Sequence, residues 1–256
     1  MMDKKQLGHI TTTVKNGVGT IEFFHPAHNS LPGKLLAELA DAIAAAGENP
    51  DILVVVLKSA GDRTFCAGAS FDELISIQDF ETGKKFFSGF ANVINAMRKC
   101  PKLIIGRVQG KAVGGGVGIA ASTDICYATQ WASVKLSELA VGIGPFVVGP
   151  AVERKIGTSA MSQLAIDATR WKPANWAREK GLYAEVFDNA GDMDDAIDAL
   201  ANQLVRSNPE AMRLLKKVFW EGTEHWDTLL DERAAMSGKL VLSDFTRTAI
   251  QGFKAK

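Results

Sequence analysis

The sequence is poor in residues on which several common functions depend. Its 256 residues include three cysteines, four histidines and two tyrosines. Cys66, Cys100 and Cys126 are far apart and form no CxxC pair, which argues against a disulfide-stabilised scaffold and favours a reducing compartment, the cytoplasm. The four histidines lack the spacing of metal ligands, so no metal site is expected.

An excess of charge of either sign is also missing. The chain has 29 Lys and Arg against 29 Asp and Glu, so its net charge is zero. Nucleic acids and anionic membranes normally attract proteins with a basic surplus, and we expect neither as a partner. The longest uncharged stretch, residues 139–152, is shorter than the roughly 20 residues of a membrane span. The first residues show no secretory signal pattern.

What is present is a hydrophobic fraction of 46%, enough for a large globular core. Asn16-Gly17 between two β-rich runs predicts a hairpin, and the apolar run 52–57 predicts a strand buried on both faces. Strands are predicted at 10–14, 19–24, 52–57, 103–108 and 125–128, with helices at 35–46, 80–97 and 117–121. From about residue 150 the predicted elements are helices, at 159–168, 173–180, 192–207, 209–221 and 226–242.

This order of elements predicts an α/β fold of repeated strand–strand–helix units with a helical C-terminal part. We expect the α/β core to occupy residues 1–195 and the helical region to occupy residues 196–256.

Two glycine-rich loops are candidates for a ligand site. The first, residues 65–70, follows the apolar strand, and the second has six glycines between Gly106 and Gly118 and leads into a helix. Glycine lets backbone N–H groups approach a ligand closely, and a helix N-terminus adds a positive dipole end. Two such loops together would form an oxyanion hole. The alternative is that the glycines serve tight turns and close packing.

A second interpretation of the same glycines also stays open. Residues 116–121 satisfy G-x-G-x-x-A, and Glu138 lies twenty residues beyond Gly118, a pattern typical of dinucleotide-binding folds. An NAD-dependent oxidoreductase is therefore an alternative. Against it, residues 111–113 separate the preceding strand from the glycines, and the first glycine loop is left without a function.

Glu138 is the candidate general base. It is the last charged residue before the uncharged stretch 139–152. A carboxylate at the edge of an apolar pocket is desolvated, so its pKa rises towards neutrality and it becomes a competent base. The alternative is an ordinary solvated loop glutamate. A second acid is not evident nearby, because the glycine helix offers Gly118, and Asp124 comes only at its end.

Four further segments carry a specific signature in their order and spacing. They are HPAHNSL at 25–31, TFCAGA at 64–69, VQGKAVGGG at 108–116 and SELAVGI at 137–143. With them the chain resembles the crotonase family, also called the enoyl-CoA hydratase/isomerase superfamily, over nearly its whole length. The resemblance implies a crotonase-type spiral of four ββα units and a helical trimerisation region, assembled as homotrimers or homohexamers. It also implies an acyl-CoA thioester as substrate, with CoA part of that substrate and no separate cofactor.

The resemblance also implies roles for individual residues. The backbone N–H groups of Ala69 and Gly115 would form the oxyanion hole, and Glu138 would be the catalytic base. The positions expected to bind substrate are Asn29, Phe65, Ala67, Gly68, Gly114, Gly118, Pro145, Phe146, Phe253 and Lys254.

The chain departs from the family pattern at one position. Hydratases of this family carry two catalytic glutamates, and Gly118 stands here at the first of the two positions. Adding water needs one group for the water and one for the proton at C2, whereas moving a double bond needs one base. Asn29 to Leu31 and residues 142–146 are similar to 3,2-trans-enoyl-CoA isomerases, so we expect isomerisation. A hydratase of methylglutaconyl-CoA type and a non-catalytic CoA- or RNA-binding relative stay open.

Overall fold

The structure is a computed structural model, and it describes residues 8–254. In this range the chain forms four strand–strand–helix units and a helical C-terminal part. The strands are β1 (His9–Lys15), β2 (Val18–Phe24), β3 (Val54–Ser59), β4 (Thr64–Cys66), β5 (Leu103–Val108), β6 (Lys111–Val113), β7 (Ile125–Thr129), β8 (Val134–Lys135) and β9 (Glu185–Phe187). The helices are α1 (Gly33–Glu48), α2 (Phe71–Ser76), α3 (Phe80–Lys99), α4 (Gly115–Ala121), α5 (Gly149–Ile166), α6 (Ala174–Glu179), α7 (Ala190–Val205), α8 (Pro209–Phe219), α9 (Trp226–Leu240) and α10 (Asp244–Lys254).

The larger of two sheets has six strands in the order β1-β2-β3-β5-β7-β9. Strands β1 and β2 are antiparallel and joined at Asn16 and Gly17, both with positive φ, as the predicted hairpin requires. The other neighbours in this sheet pair in parallel. This confirms the hairpin and the strand predicted at 52–57.

The smaller sheet has three parallel strands in the order β4-β6-β8. In the second, third and fourth units the first strand joins the large sheet and the second strand joins the small one. The chain therefore advances as a spiral, which confirms the predicted fold class. Parallel strands end at a common edge, so the loops that follow β4, β6 and β8 meet at one place.

Both faces of the large sheet are covered. On one face Leu57 and Ile104 belong to a buried apolar cluster with residues of α1 and α3. On the other face Val54 and Ile105 pack in a second cluster with Met193 and Ile197 of α7. Burial on two faces explains why β3 is a continuous apolar run instead of an alternating one.

The predicted boundary between residues 195 and 196 falls inside α7, whose buried residues on both sides of it pack against the large sheet. Strand β9 was not predicted, because its three residues are too few to show a pattern. Helix α5 begins ten residues earlier than predicted, within the uncharged stretch, and Gly157 interrupts it with φ of 76°. None of the helices in residues 8–254 is long and apolar enough to cross a membrane.

A buried ion pair attaches α8 to the core. Lys216 Nζ lies 2.7 Å from Asp124 Oδ2, and both side chains are almost fully buried. Trp220 Nε1 donates to the same carboxylate at 2.9 Å, and the Ile104 N–H donates to it at 2.7 Å. Lys216 is therefore used inside the protein and does not belong to a basic surface.

Candidate active site

The three loops at the edge of the small sheet are in direct contact. The Gly114 N–H donates to the Lys135 carbonyl at 2.9 Å, which joins the loop after β6 to the end of β8. A Cβ placed on Gly68 would lie 3.1 Å from the Val113 carbonyl oxygen and 3.7 Å from the Gly115 nitrogen. The loops after β4 and β6 therefore touch as well, and Ala69, Gly115 and Glu138 come together from three separate units.

Two of the glycines are required by backbone conformation and by space. Gly68 has φ of 87° and Gly114 has φ of 51°, in the left-handed region that side chains rarely adopt. A Cβ on Gly114 would also lie 2.9 Å from Oε1 of Glu138. The glycine at position 114 thus leaves room for the glutamate carboxylate beside the second loop.

Two backbone N–H groups at this junction are free to bind a ligand. The amides of Ala69 and Gly115 donate to no acceptor within residues 8–254. Gly115 is the first residue of α4, where the N–H groups of a helix have no intrahelical partner. Unpaired backbone donors are costly unless water or a ligand pairs with them, so this pair is suited to hold an oxygen that gains negative charge.

Glu138 presents a carboxylate that is poorly solvated. The residue as a whole is half-buried, but its Oε2 is buried and has no hydrogen-bond partner in the described part of the chain. This burial raises the pKa of Glu138 from 4.5 to about 7. The solvated-loop alternative is therefore excluded, and the side chain has the acidity of a general base that works near neutral pH.

These groups line a cavity of about 480 Å³. Its wall is mainly apolar and includes Phe86, Phe87, Phe90, Ile143, Phe146 and Val148. The titratable side chains of the lining are His25, Asp72, Lys135 and Glu138. Asp72 and Phe71 stand at the start of α2, and both are exposed to solvent. A mainly apolar cavity with a few polar groups is typical of a small-molecule site.

Most of the residues predicted to form the site lie in this lining. They are Ala67, Gly68, Ala69, Gly114, Gly115, Glu138, Pro145 and Phe146. Phe253 and Lys254 belong to the last helix, but their side chains lie outside the described residues, so their place on the CoA path stays a prediction.

Asn29 and Phe65 do not line the cavity. Asn29 is buried, and its Nδ2 donates to the carbonyls of Ala60 and Thr64, each at 2.9 Å. Its side chain therefore fixes the turn that leads into β4. Phe65 packs edge-on against Phe23 in the core, with ring centroids 5.4 Å apart. Both side chains are used within the protein, and their contact with substrate stays a prediction.

Gly118, the position of the absent glutamate, is also outside the lining. A Cβ at Gly118 would lie 2.6 Å from Cγ1 of Val148, whose residue does line the cavity. Gly116 is also tightly packed, because a Cβ at this position would lie 2.6 Å from the carbonyl oxygen of Cys66. The two glycines of the dinucleotide pattern therefore face protein and not a bound phosphate, so the packing explanation applies to them.

Two features of the site were missed in the sequence. Phe90 of α3 lies on Gly115, where a Cβ would come within 2.2 Å of its ring, and Lys135 lines the cavity next to Glu138. The spacing of Phe86, Phe87 and Phe90 on a helix marks one face, which was a usable signal for an aromatic wall. The contact of Phe90 with a glycine twenty-five residues away left no local signal.

Comparison with known proteins agrees with this geometry. The family model described as Enoyl-CoA hydratase/isomerase matches residues 13–256. The peroxisomal Delta(3,5)-Delta(2,4)-dienoyl-CoA isomerase of Arabidopsis thaliana is 26% identical over 98% of this chain and 94% of its own length. The short-chain-enoyl-CoA hydratase of Clostridium acetobutylicum is 28% identical over 98% and 96%, respectively. The mitochondrial methylglutaconyl-CoA hydratase of Mus musculus is 30% identical over 77% of this chain and 63% of its own length.

Solved structures share the fold. The enoyl-CoA hydratase of Bacillus halodurans superposes with a TM-score of 0.88 at 19% identity and covers 95% of this chain and 99% of its own. An enoyl-CoA hydratase of Mycobacterium avium superposes with a TM-score of 0.84 at 23% identity, over 99% of this chain and 97% of its own. Spiral fold, family and enzyme class thus agree with the prediction from the sequence, and the chain belongs to the enoyl-CoA hydratase/isomerase family of enzymes.

Proposed function

We propose that this enzyme converts a 3-enoyl-CoA thioester into the 2-enoyl-CoA thioester. The thioester oxygen accepts hydrogen bonds from Ala69 and Gly115, and Glu138 removes a proton from C2. The electron pair of the C2–H bond becomes an enolate conjugated with the C3–C4 double bond. Glu138 then returns the proton to C4, the double bond moves to C2–C3, and the thioester carbonyl re-forms. The scheme balances without water or a separate cofactor, since CoA is part of the substrate.

Two properties of the site support this chemistry. The enolate is the high-energy species, and loss of one oxyanion donor in such sites typically costs about a hundredfold to a thousandfold in rate. The pKa of Glu138, raised to about 7 by burial, matches a group that must both accept and return a proton near neutral pH.

The contact between Gly118 and Val148 is the observation that carries the choice of reaction. Hydration needs a second group to handle water, and Val148 fills the space that a side chain at position 118 would enter. Among the described lining residues Asp72 is the other acid, and it is exposed to solvent at the start of α2. The names of the relatives include both hydratases and an isomerase, so the contact between Gly118 and Val148 is what favours isomerisation.

Turnover of unlabelled 3-enoyl thioesters in deuterated buffer, followed by NMR, tests this proposal. We expect conversion to the 2-enoyl isomer with less than full deuterium incorporation at C4, because one shielded base carries the proton. The rate constant kcat/KM should rise as the pH increases through about 7, since Glu138 must be ionised to accept the C2 proton. Rapid conversion of 2-enoyl thioesters into 3-hydroxyacyl products, or a flat profile between pH 5 and 9, would contradict it.

Hydration should be gained only when space is made for a second acid. The variant Gly118→Glu alone is expected to lose stability and activity, because its Cβ would press on Val148. In the double variant Gly118→Glu with Val148→Gly we expect measurable formation of 3-hydroxyacyl-CoA from a 2-enoyl thioester. Val148→Gly alone is the control and should form none. Hydration by the unmodified enzyme at the rate of the double variant would show that the missing acid is not what prevents hydration.

We also propose that the chain works as a homotrimer or homohexamer. Helix α8 supports self-association, because its apolar side chains Leu214, Leu215, Val218 and Phe219 are about half exposed. Sedimentation velocity measures this directly, and a species at the 27.5 kDa of one chain at micromolar concentration would contradict it.

A further inference from the structure

Two lysines and a tryptophan form a cluster on the small sheet. Lys111 Nζ lies 5.0 Å from the centroid of the Trp171 ring, and Lys135 Nζ lies 4.7 Å from the same centroid. Lys111 is the first residue of β6, and Lys135 is the last residue of β8. The two ammonium groups therefore share one indole ring, although they come from neighbouring strands.

These two positive charges have no counter-ion within the protein. Neither Lys111 nor Lys135 forms a salt bridge among residues 8–254, whereas Lys172, next to Trp171, is paired with Asp167 at 3.2 Å. Lys135 is half-buried, and its pKa is lowered first by this burial and then by the charge of Lys111. Lys111 is exposed, but like charges held this close to each other still raise the free energy of the empty site, so an anion placed between them is attracted.

The cluster meets the cavity at Lys135, whereas Lys111 and Trp171 lie outside the lining of the cavity. Lys135 lines the cavity, and its carbonyl accepts the N–H of Gly114, the residue before the oxyanion donor Gly115. Lys135 also precedes the base Glu138 by three residues, on the strand at one edge of the small sheet. The other donor, Ala69, follows β4 at the opposite edge, about 10 Å away at ordinary strand spacing. A group held by Lys135 is therefore on the Glu138 side of the thioester carbonyl.

We propose that Lys111, Lys135 and Trp171 form an anion site for a carboxylate at the far end of the acyl group. The substrate class is then a CoA thioester of an unsaturated dicarboxylic acid. The inference rests on the proposed function, because C2 must lie at Glu138 for the acyl chain to continue towards Lys135. The ammonium groups bind the carboxylate by charge-assisted hydrogen bonds, and the indole packs against the last methylene groups.

Binding of saturated thioesters by calorimetry tests this site without turnover. The probes are glutaryl-CoA and adipyl-CoA, compared with pentanoyl-CoA and hexanoyl-CoA of equal chain length. We expect the dicarboxylic thioesters to bind about tenfold to a hundredfold more tightly, a preference that weakens as salt is added. Lys135→Gln and Lys111→Gln should each remove most of this preference, and Lys135→Arg should keep part of it.

Controls separate the other outcomes. Lys180→Gln, at an exposed lysine far along the chain, should leave the preference unchanged. The two glutamine variants could instead weaken the binding of all four thioesters by the same factor, with a smaller loss for dephospho-CoA thioesters. The lysines would then bind a CoA phosphate, and the proposal would be overturned. Equal binding of acidic and neutral thioesters by the unmodified enzyme also overturns it. Isomerisation of a neutral 3-enoyl thioester is measured separately, so failure of the proposed function is distinguishable from failure of the anion site.

Discussion

The variant Glu138→Gln is expected to lower kcat for isomerisation by about a hundredfold to ten-thousandfold, the usual contribution of a general base. Glutamine has nearly the same size and fits beside Gly114, but it cannot take the C2 proton. The dissociation constant of a saturated acyl-CoA, measured by calorimetry, should change by less than about threefold, because uncharged contacts and the two amides are retained. The exposed Glu48→Gln is the matched control. A Glu138→Gln enzyme with undiminished turnover would refute the assigned base.

The same variant should have a higher free energy of unfolding than the unmodified enzyme at high pH, although it is less active. The pKa of Glu138 in the folded protein is raised to about 7 from 4.5, so folding is favoured by its neutral form. That stability is present below pH 4.5 and is lost as the pH rises through about 7. Glu138→Gln should therefore be more stable than the unmodified enzyme at pH 8, by about 2 kcal/mol after allowance for partial solvation, and equally stable near pH 4.5. Denaturant unfolding at the two pH values measures the difference.

The second large effect is expected at Gly115. A Cβ at this position would lie 2.2 Å from two ring carbons of Phe90, so Gly115→Ala must displace either the ring or the oxyanion donor. If the N–H moves, kcat should fall by about a hundredfold or more. Phe90→Leu removes the outer ring carbons and should restore part of the loss in the double variant, whereas alone it has a mild effect. A double-variant cycle in kcat/KM measures this coupling.

Controls define what the Gly115 result means. Alanine favours helices, so Gly115→Ala should not weaken α4 itself. Gly252→Ala, in α10, meets nothing within 4 Å and should leave both activity and stability unchanged. Full activity of Gly115→Ala would show that the ring yields and the donor stays in place. No recovery in the double variant would show that the contact with Phe90 is not the cause of the loss.

The elements with strong local patterns were predictable from the sequence. Asn16-Gly17 allows positive φ at both hairpin positions, the run 52–57 reflects a strand covered on both faces, and Pro209 begins a helix as its missing N–H permits. The desolvation of Glu138 was predictable as well, because the uncharged stretch after it has no group to solvate a carboxylate.

What sequence patterns could not supply are contacts between distant residues. Val148 fills the space beside Gly118 although the two are thirty residues apart in the sequence. Lys216 pairs with Asp124 although ninety-two residues separate them. Asn29 matches a family motif next to the site, yet its amide is used by two carbonyls of the turn before β4. Such partners are determined by packing in the folded chain, and residue type at either position alone does not reveal them.

The loops after the three strands of the small sheet carry two different kinds of functional group. Strands β4 and β6 lead to backbone N–H groups, whose chemistry does not depend on a side chain at either donor position, whereas β8 leads to a side chain, which one substitution removes. Thioester binding can therefore persist while the residues at 118, 138 and 148 vary. A scaffold arranged in this way can change the step that generates the enolate, from proton removal at C2 to water addition at C3, without rebuilding the pair of N–H groups that stabilises it.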